Sequence, residues 1–340
     1  MANIKDIARE AGVGVGTVSR YANGYALKPS TADKVRAAIG KLGFTLNTVA
    51  RGLKTNRTRT IGVVIPDFAD IYGGTMIKYL ERGLSAHGYG ILACDSSACA
   101  GREAEKVRQL LQRRVDGLIL YPCSSDIGYL RDFPELAVDA DGSPSSTVPV
   151  ITVDMLTEGY PCDQILTDNH DATLEATRWL IRRGHRRIGL ISGPCGYFTA
   201  SERRSGYLGA LREAGLEEDS SLVAMTEHFD EAGGRDALER FLNLPEPPSA
   251  VITCNYYTTL GAVQTVYQYN LEVPERLALI GFDNLGLSAM VRPPLSIIVQ
   301  PMEEIGAAAA ELLIRRLQGD REGFPSLVRY KTTLLLRGST

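Results

Sequence analysis

The sequence has little net charge and no long hydrophobic run. Its 340 residues hold 37 Lys plus Arg against 40 Asp plus Glu, a formal charge of −3, and that figure alone suggests no nucleic-acid partner. Apolar stretches such as 250–254 are far shorter than the roughly 20 residues a membrane-spanning helix needs. The opening MANIKDIARE lacks the apolar centre of a secretion signal. No membrane is therefore expected, and a cytoplasmic location is. Six cysteines, at 94, 99, 123, 162, 195 and 254, lie scattered without a CxxC or a Cys/His cluster at zinc spacing. Free thiols and no metal follow. The chain also lacks G-x-S-x-G, a phosphate-binding P-loop and H-E-x-x-H, so neither an enzyme nor a bound cofactor is expected.

What is present is an uneven distribution of charge. Residues 1–60 carry eleven Lys and Arg against Asp6, Glu10 and Asp33, a net +8, which leaves −11 for the other 280 residues. A basic arm on an acidic body points to a binder of anionic polymer joined to something else. At about 100–200 residues per domain, the length allows two or three domains with real cores.

Within the arm, Asn3 can cap a helix whose third position is Asp6, with Ile4, Ile7, Ala8 and Ala11 on one face and Gly12 as its stop. A second run over 15–23 buries Val18 and turns Thr17, Ser19 and Arg20 outward. Ser30 with Asp33 predicts a third helix, whose stripe Val35, Ala38, Ile39 and Leu42 ends at Gly43. Three short helices, the first two joined by a glycine-containing turn, make a helix-turn-helix. The GVGVG run at 12–16 follows a helix rather than a strand, so it is not a dinucleotide loop.

The stretch IKDIAREAGVGVGTVSRYANG, then NTVARGLKTNRTRTIGVVIPD, and further on RRGHRRIGLISGP, GFDN and RPPLSIIVQP, resembles the lactose-repressor/galactose-repressor family of bacterial transcription regulators over nearly the whole chain. The resemblance implies a second helix that enters the DNA major groove. Val15 and Gly16 then stand at base-reading positions, Thr17 and Ser19 face phosphates, Arg20 reaches a guanine edge, and Asn23, at the end of the helix, is a further DNA contact. It also implies a hinge helix over 47–53, with Asn47 at its start and Leu53 as an apolar wedge beside Ala50 in the minor groove. Seven residues cannot hold a helix alone, and Gly52 weakens it by a further ~1 kcal/mol relative to Ala. Ordering of this segment is thus expected to accompany DNA binding. Tyr21 and Ala22 depart from the aliphatic pair usual after Ser-Arg in the family.

From residue 61, short β-rich runs alternate with amphipathic helices: strands 61–66, 91–94, 118–121 and 150–153 with helices near 74–87 and 102–114, then strands 165–167, 188–192, 222–225, 251–254 and 277–282 with helices between. The expected fold is α/β: two doubly wound subdomains behind the headpiece, an arrangement that the family shares with periplasmic sugar-binding proteins. The boundaries expected are a headpiece at 1–46, a hinge at 47–60 and a ligand-binding and dimerisation core at 61–340. Within the core, one subdomain should hold about 61–160 and 290–320, including strand 295–299, and the other about 161–289 and 321–340, with a last strand near 327–336. Residues 123–147, with PSS and DGSP, read as an irregular insertion.

Ligands of such sheets bind at the carboxyl ends of the strands. Tyr72, Asp154, Arg203, Asn255 and Asp283 fall there, with Phe229 available to cover an apolar face, a set suited to a sugar or related polyol. The family's effector contacts fall on these positions, Arg203 and Asp283 most firmly. Asp70-Ile71 replaces the usual Asn-Pro, and Tyr256 the usual Asp. Trp179 reads as core and His185 as structural. A homodimer on pseudo-palindromic double-stranded operator DNA, acting as a ligand-controlled repressor, is the expected function. The alternative is a cytoplasmic small-molecule-binding protein without operator function.

Overall fold

The computed structural model describes residues 2–22, 25–43, 57–139, 148–283 and 286–340. The chain divides after Arg59 into two units.

The first unit holds α1 (Ile4–Ala11), α2 (Val15–Ala22) and α3 (Pro29–Leu42). Asn3 caps α1 through a reciprocal capping box with Asp6, and Gly12 ends it in the left-handed conformation at φ 63°. Ile7, Ala8, Ala11, Val18, Val35 and Ala38 form the core, and Lys41 ties α3 to Glu10 of α1 at 2.6 Å. Tyr21, the departure from the aliphatic pair, packs against this core. The start of α3 differs from the sequence expectation. Lys28 occupies the cap position and Pro29 the first turn, so Ser30 lies inside the helix, because the fixed φ of proline suits a first helical residue better than any interior one.

The second unit contains two six-stranded sheets. The first is built from β1 (Thr60–Ile65), β2 (Gly90–Asp95), β3 (Gly117–Leu120), β4 (Val150–Val153), β5 (Asp163–Thr167) and β11 (Leu327–Tyr330), in the order β11-β5-β4-β3-β1-β2. The second holds β6 (Ile188–Ser192), β7 (Val223–Met225), β8 (Ala250–Thr253), β9 (Ala278–Phe282), β10 (Ser296–Val299) and β12 (Thr333–Leu335), in the order β12-β10-β9-β8-β6-β7. All pairings are parallel except β10 with β12. Between the strands run α4 (Ile71–Ser85), α5 (Ala100–Gln112), α6 (Asn169–Arg182), α7 (Phe198–Glu213), α8 (Glu231–Leu242), α9 (Tyr256–Gln268) and α10 (Met302–Leu317). The inner strands such as β1, β3, β6 and β8 are buried along nearly their whole length, as parallel strands covered on both faces must be, while the outer strands β2, β11 and β12 are half-buried or exposed.

Three expectations about the core are corrected. Strand 165–167 belongs to the first sheet, paired with β4, and not to the subdomain beginning near 161. Strand 295–299 lies in the second sheet beside β9, and the return to the first half begins only with α10, whose Ile305, Ala309 and Leu313 join that half's core. The last strand is two: β11 completes the first sheet and β12 the second. Apolar periodicity locates a strand but does not say which of two similar sheets will take it. The insertion is also more ordered than its composition suggested. Two 3₁₀ turns at Gly128–Asp132 and Pro134–Leu136 press Ile127, Leu130, Phe133 and Leu136 into the first half's core; residues 140–147 lie outside the described residues.

Candidate ligand cleft and DNA-reading helix

Chain segments that leave the carboxyl ends of nine strands, β1 to β4 and β6 to β10, line one cavity of about 680 Å³ in the second unit. All six residues named from the sequence, Tyr72, Asp154, Arg203, Phe229, Asn255 and Asp283, are on its wall. Their positions follow from local structure. Tyr72 sits in the first turn of α4, where Asp70 caps the helix by accepting from the Tyr72 amide at 3.2 Å. Asp154 and Asp283 each follow a strand directly, at φ 73° and 75°. Asn255 caps α9, its side-chain oxygen accepting from the Thr258 amide at 2.9 Å. Phe229 stands edge-on to Tyr197, centroids 5.7 Å apart. It lies over Gly193, where any Cβ would fall 1.9 Å from the ring.

Arg203 is the anchor of the site. It is 4% exposed, its Nε donates to Asn169 Oδ1 at 2.7 Å, and Nη1 donates to the Cys254 carbonyl. The guanidinium lies 3.8 Å from the centroid of the Phe282 ring. Three residues on, Gly206 lets α7 approach α6; a Cβ there would lie 2.0 Å from the His170 carbonyl oxygen. Burial raises the carboxyl groups of both Asp154 and Asp283, and Arg203 opposes the rise in each. Asp154 accepts from the Tyr72 hydroxyl at 3.2 Å. Asp283 accepts from the Tyr256 amide at 3.1 Å and from Gln300 Nε2. Asp283 therefore has a structural duty as well as a place on the wall.

The sequence reading missed Asp70, Tyr121, Tyr197, Tyr257 and Gln300, which also line the cavity. Tyr121 and Gln300 each directly follow a strand, the same signal that located Asp154, while Asp70 drew notice only as a departure from Asn. Trp179 packs against the second half's core, and His185 bonds Ser249 at 2.9 Å. Among the described residues no group of three His, Cys, Asp or Glu side chains could hold a metal, and no helix is long and apolar enough to cross a membrane. All six cysteines are free.

On the first unit, Val18 is buried while Val15 is 43% exposed, so Val15 is not a core residue. Gly16 and Arg20 are exposed beside it, with Thr17 and Ser19 partly so. Asn23, Asn47, Ala50 and Leu53, and the hinge as a whole, lie outside the described residues.

Residues 3–47 match the model of the lacI family of bacterial regulatory proteins, and residues 177–340 match a periplasmic binding protein-like domain. The chain is 32% identical to the HTH-type transcriptional repressor CytR of Escherichia coli (strain K12), over all of this chain and 96% of that protein. It is 34% identical to the ribose operon repressor of the same organism over 93% of each. The crystal structure of the Lac repressor dimer bound to operator and the anti-inducer ONPF has the same fold, with a TM-score of 0.84 at 24% identity, covering all of this chain and 99% of that one. The basic helix-turn-helix, the paired α/β sheets with their shared cleft and these relatives agree: the chain belongs to the lacI family, as a DNA-binding transcriptional regulator and not an enzyme.

Proposed function

We propose that the protein is a cytoplasmic homodimeric repressor whose hold on a pseudo-palindromic operator is set by a sugar or related polyol in the core cavity. The observation that carries the ligand half of this reading is the convergence of Tyr72, Asp154, Arg203, Phe229, Asn255 and Asp283 on one cavity. Carboxylates, an amide and a guanidinium can each engage two neighbouring hydroxyls, and Phe229 can cover the apolar face of a ring. The ribose operon repressor of E. coli, a relative along nearly the whole chain, supports a carbohydrate.

The exposed row Val15, Gly16 and Arg20 supports the DNA half. Val15 and Gly16 offer base edges apolar contact and close backbone approach, and Arg20 offers a bidentate donor pair for guanine. Two copies related by a two-fold axis bring two such helices to the half-sites of a palindrome. A ligand that binds one arrangement of the two halves more tightly than another shifts the dimer toward it, and with it the spacing of the hinges.

Two experiments test the reading. In a thermal-shift panel of sugars, nucleosides and sugar phosphates, a true ligand at 100 times its dissociation constant adds ~2.7 kcal/mol of apparent stability. Arg203→Ala should abolish that shift, and an unchanged shift removes Arg203 from the site. In gel-shift titrations on DNA selected from a random pool, affinity should fall steeply with salt as phosphate contacts are lost. Leu53→Ala should fold as the parent does yet bind at least about tenfold more weakly, because the wedge and its kink are gone. Equal affinity removes the wedge role.

A further inference from the structure

The cavity carries more negative charge than a neutral polyol calls for. Its described wall holds Asp67, Asp70, Asp154, Glu227 and Asp283, against Arg203 as the single Lys or Arg. Asp67 and Glu227 are exposed and screened by solvent. The other three carboxylates are partly buried and feel one another: burial, with the charges of Asp283 and Asp154 added, pushes the Asp70 carboxyl up to about 6. Arg203 offsets one of these charges, and two of its donor nitrogens are already held by Asn169 and Cys254.

A second observation is independent of charge. The Tyr121 hydroxyl has no hydrogen-bond partner, although the residue is only 4% exposed and lines the cavity. It shares the cavity wall with Asp70 and Asp154, and the charges of both are felt at it. The Tyr121 ring also meets Tyr72 edge-on, centroids 5.9 Å apart. Among the described wall residues, the first half thus presents two partly buried carboxylates, an unpartnered hydroxyl and aromatic rings, with no Lys or Arg. An ammonium group has three N–H donors and no acceptor, and it is favoured beside aromatic faces.

We propose that the ligand is a polyol bearing a protonated amine, such as an amino sugar or iminosugar. Its ammonium lies among Asp70, Asp154 and the Tyr121 hydroxyl, and its hydroxyls meet Arg203, Asn255 and Asp283. The inference rests on the reading of this cavity as a polyol site and makes it more specific. Phosphorylated sugars and uronates are excluded by the same field, since a like charge in a partly buried acidic site is repelled.

Isothermal titration calorimetry on the full chain near neutral pH tests this with matched triplets: glucosamine, N-acetylglucosamine and glucose, the same three in galacto and manno configuration, and the iminosugar 1-deoxynojirimycin. In at least one configuration the amine should bind about tenfold or more tightly than both neutral partners, the size expected of one charge-assisted contact. Asp70→Asn, which keeps an oxygen to cap α4, should bring amine and neutral sugar to within about threefold of each other. Tyr121→Phe, which leaves the cap untouched, should weaken the amine about three- to tenfold. A neutral sugar that binds as tightly as its amine overturns the ammonium site and leaves the polyol reading standing. An amine preference unchanged by both substitutions overturns the placement at this cluster. Binding of no probe in any configuration overturns both.

Discussion

The two halves of the core are the same scaffold with different chemistry. Strand for strand, β1 to β5 and β11 occupy the places that β6 to β10 and β12 occupy in the other sheet. Asp154 after β4 corresponds to Asp283 after β9, at nearly the same positive φ. Tyr121 after β3 corresponds to Cys254 after β8, and each donates its amide to the strand alongside, to Val64 and Ile191. There the likeness ends. The Cys254 carbonyl is engaged by Arg203, whereas the Tyr121 hydroxyl is engaged by nothing. In the second half Arg203 ties the strand ends together, whereas the first half brings Asp70 and Asp154, each bonded to Tyr72, and an unpartnered Tyr121 hydroxyl.

The comparison can be broken most forcefully at Arg203. Arg203→Ala should cost about 3–5 kcal/mol in urea unfolding above neutral pH, the usual loss when one partner of a buried charged group is removed. The cost should shrink in acid, where Asp154 and Asp283, both raised by burial, take up protons. A cost below about 1 kcal/mol would mean the second half is not organised around this side chain.

Asp70 should behave in the opposite sense. Its carboxyl rises from 3.8 to about 6 on folding, so its contribution is fully present below the unfolded value and is lost as pH climbs through about 6. Asp70→Asn should therefore be about 1–2 kcal/mol more stable than the parent above pH 7, with the gain gone near pH 4. A pH-independent difference would show that Asp70 is not held ionised against its surroundings.

The smallest effect is expected at Tyr121. Removing an unpaired buried hydroxyl relieves its desolvation, so Tyr121→Phe should raise ligand-free stability by about 1 kcal/mol. A loss of stability instead would mean that the hydroxyl has a partner in the free protein.

Much of this was legible in the sequence, for identifiable reasons. The headpiece could be read because caps are local: Asn3 with Asp6 and the left-handed Gly12 need only neighbours a few residues away. The six cleft residues could be read because strand ends converge in any doubly wound fold. Membership of a sheet could not, since β5 and β10 owe their places to pairing with β4 and β9 rather than to their own composition. The orphan state of Tyr121 was out of reach too, because it is a property of what fails to surround it.

The chain passes between the sheets three times, after β5, after β10 and between β11 and β12. These passages are laced together: Thr167 donates to Gln300 at 2.8 Å, and the Thr332 amide donates to Asp168 at 2.8 Å. Both sheets also receive their outermost strand from the same short stretch, residues 327–335. Neither half is then a cassette that could be excised, swapped or inherited by itself. Whatever selection acts on one is felt by the other, and the two should melt in a single step.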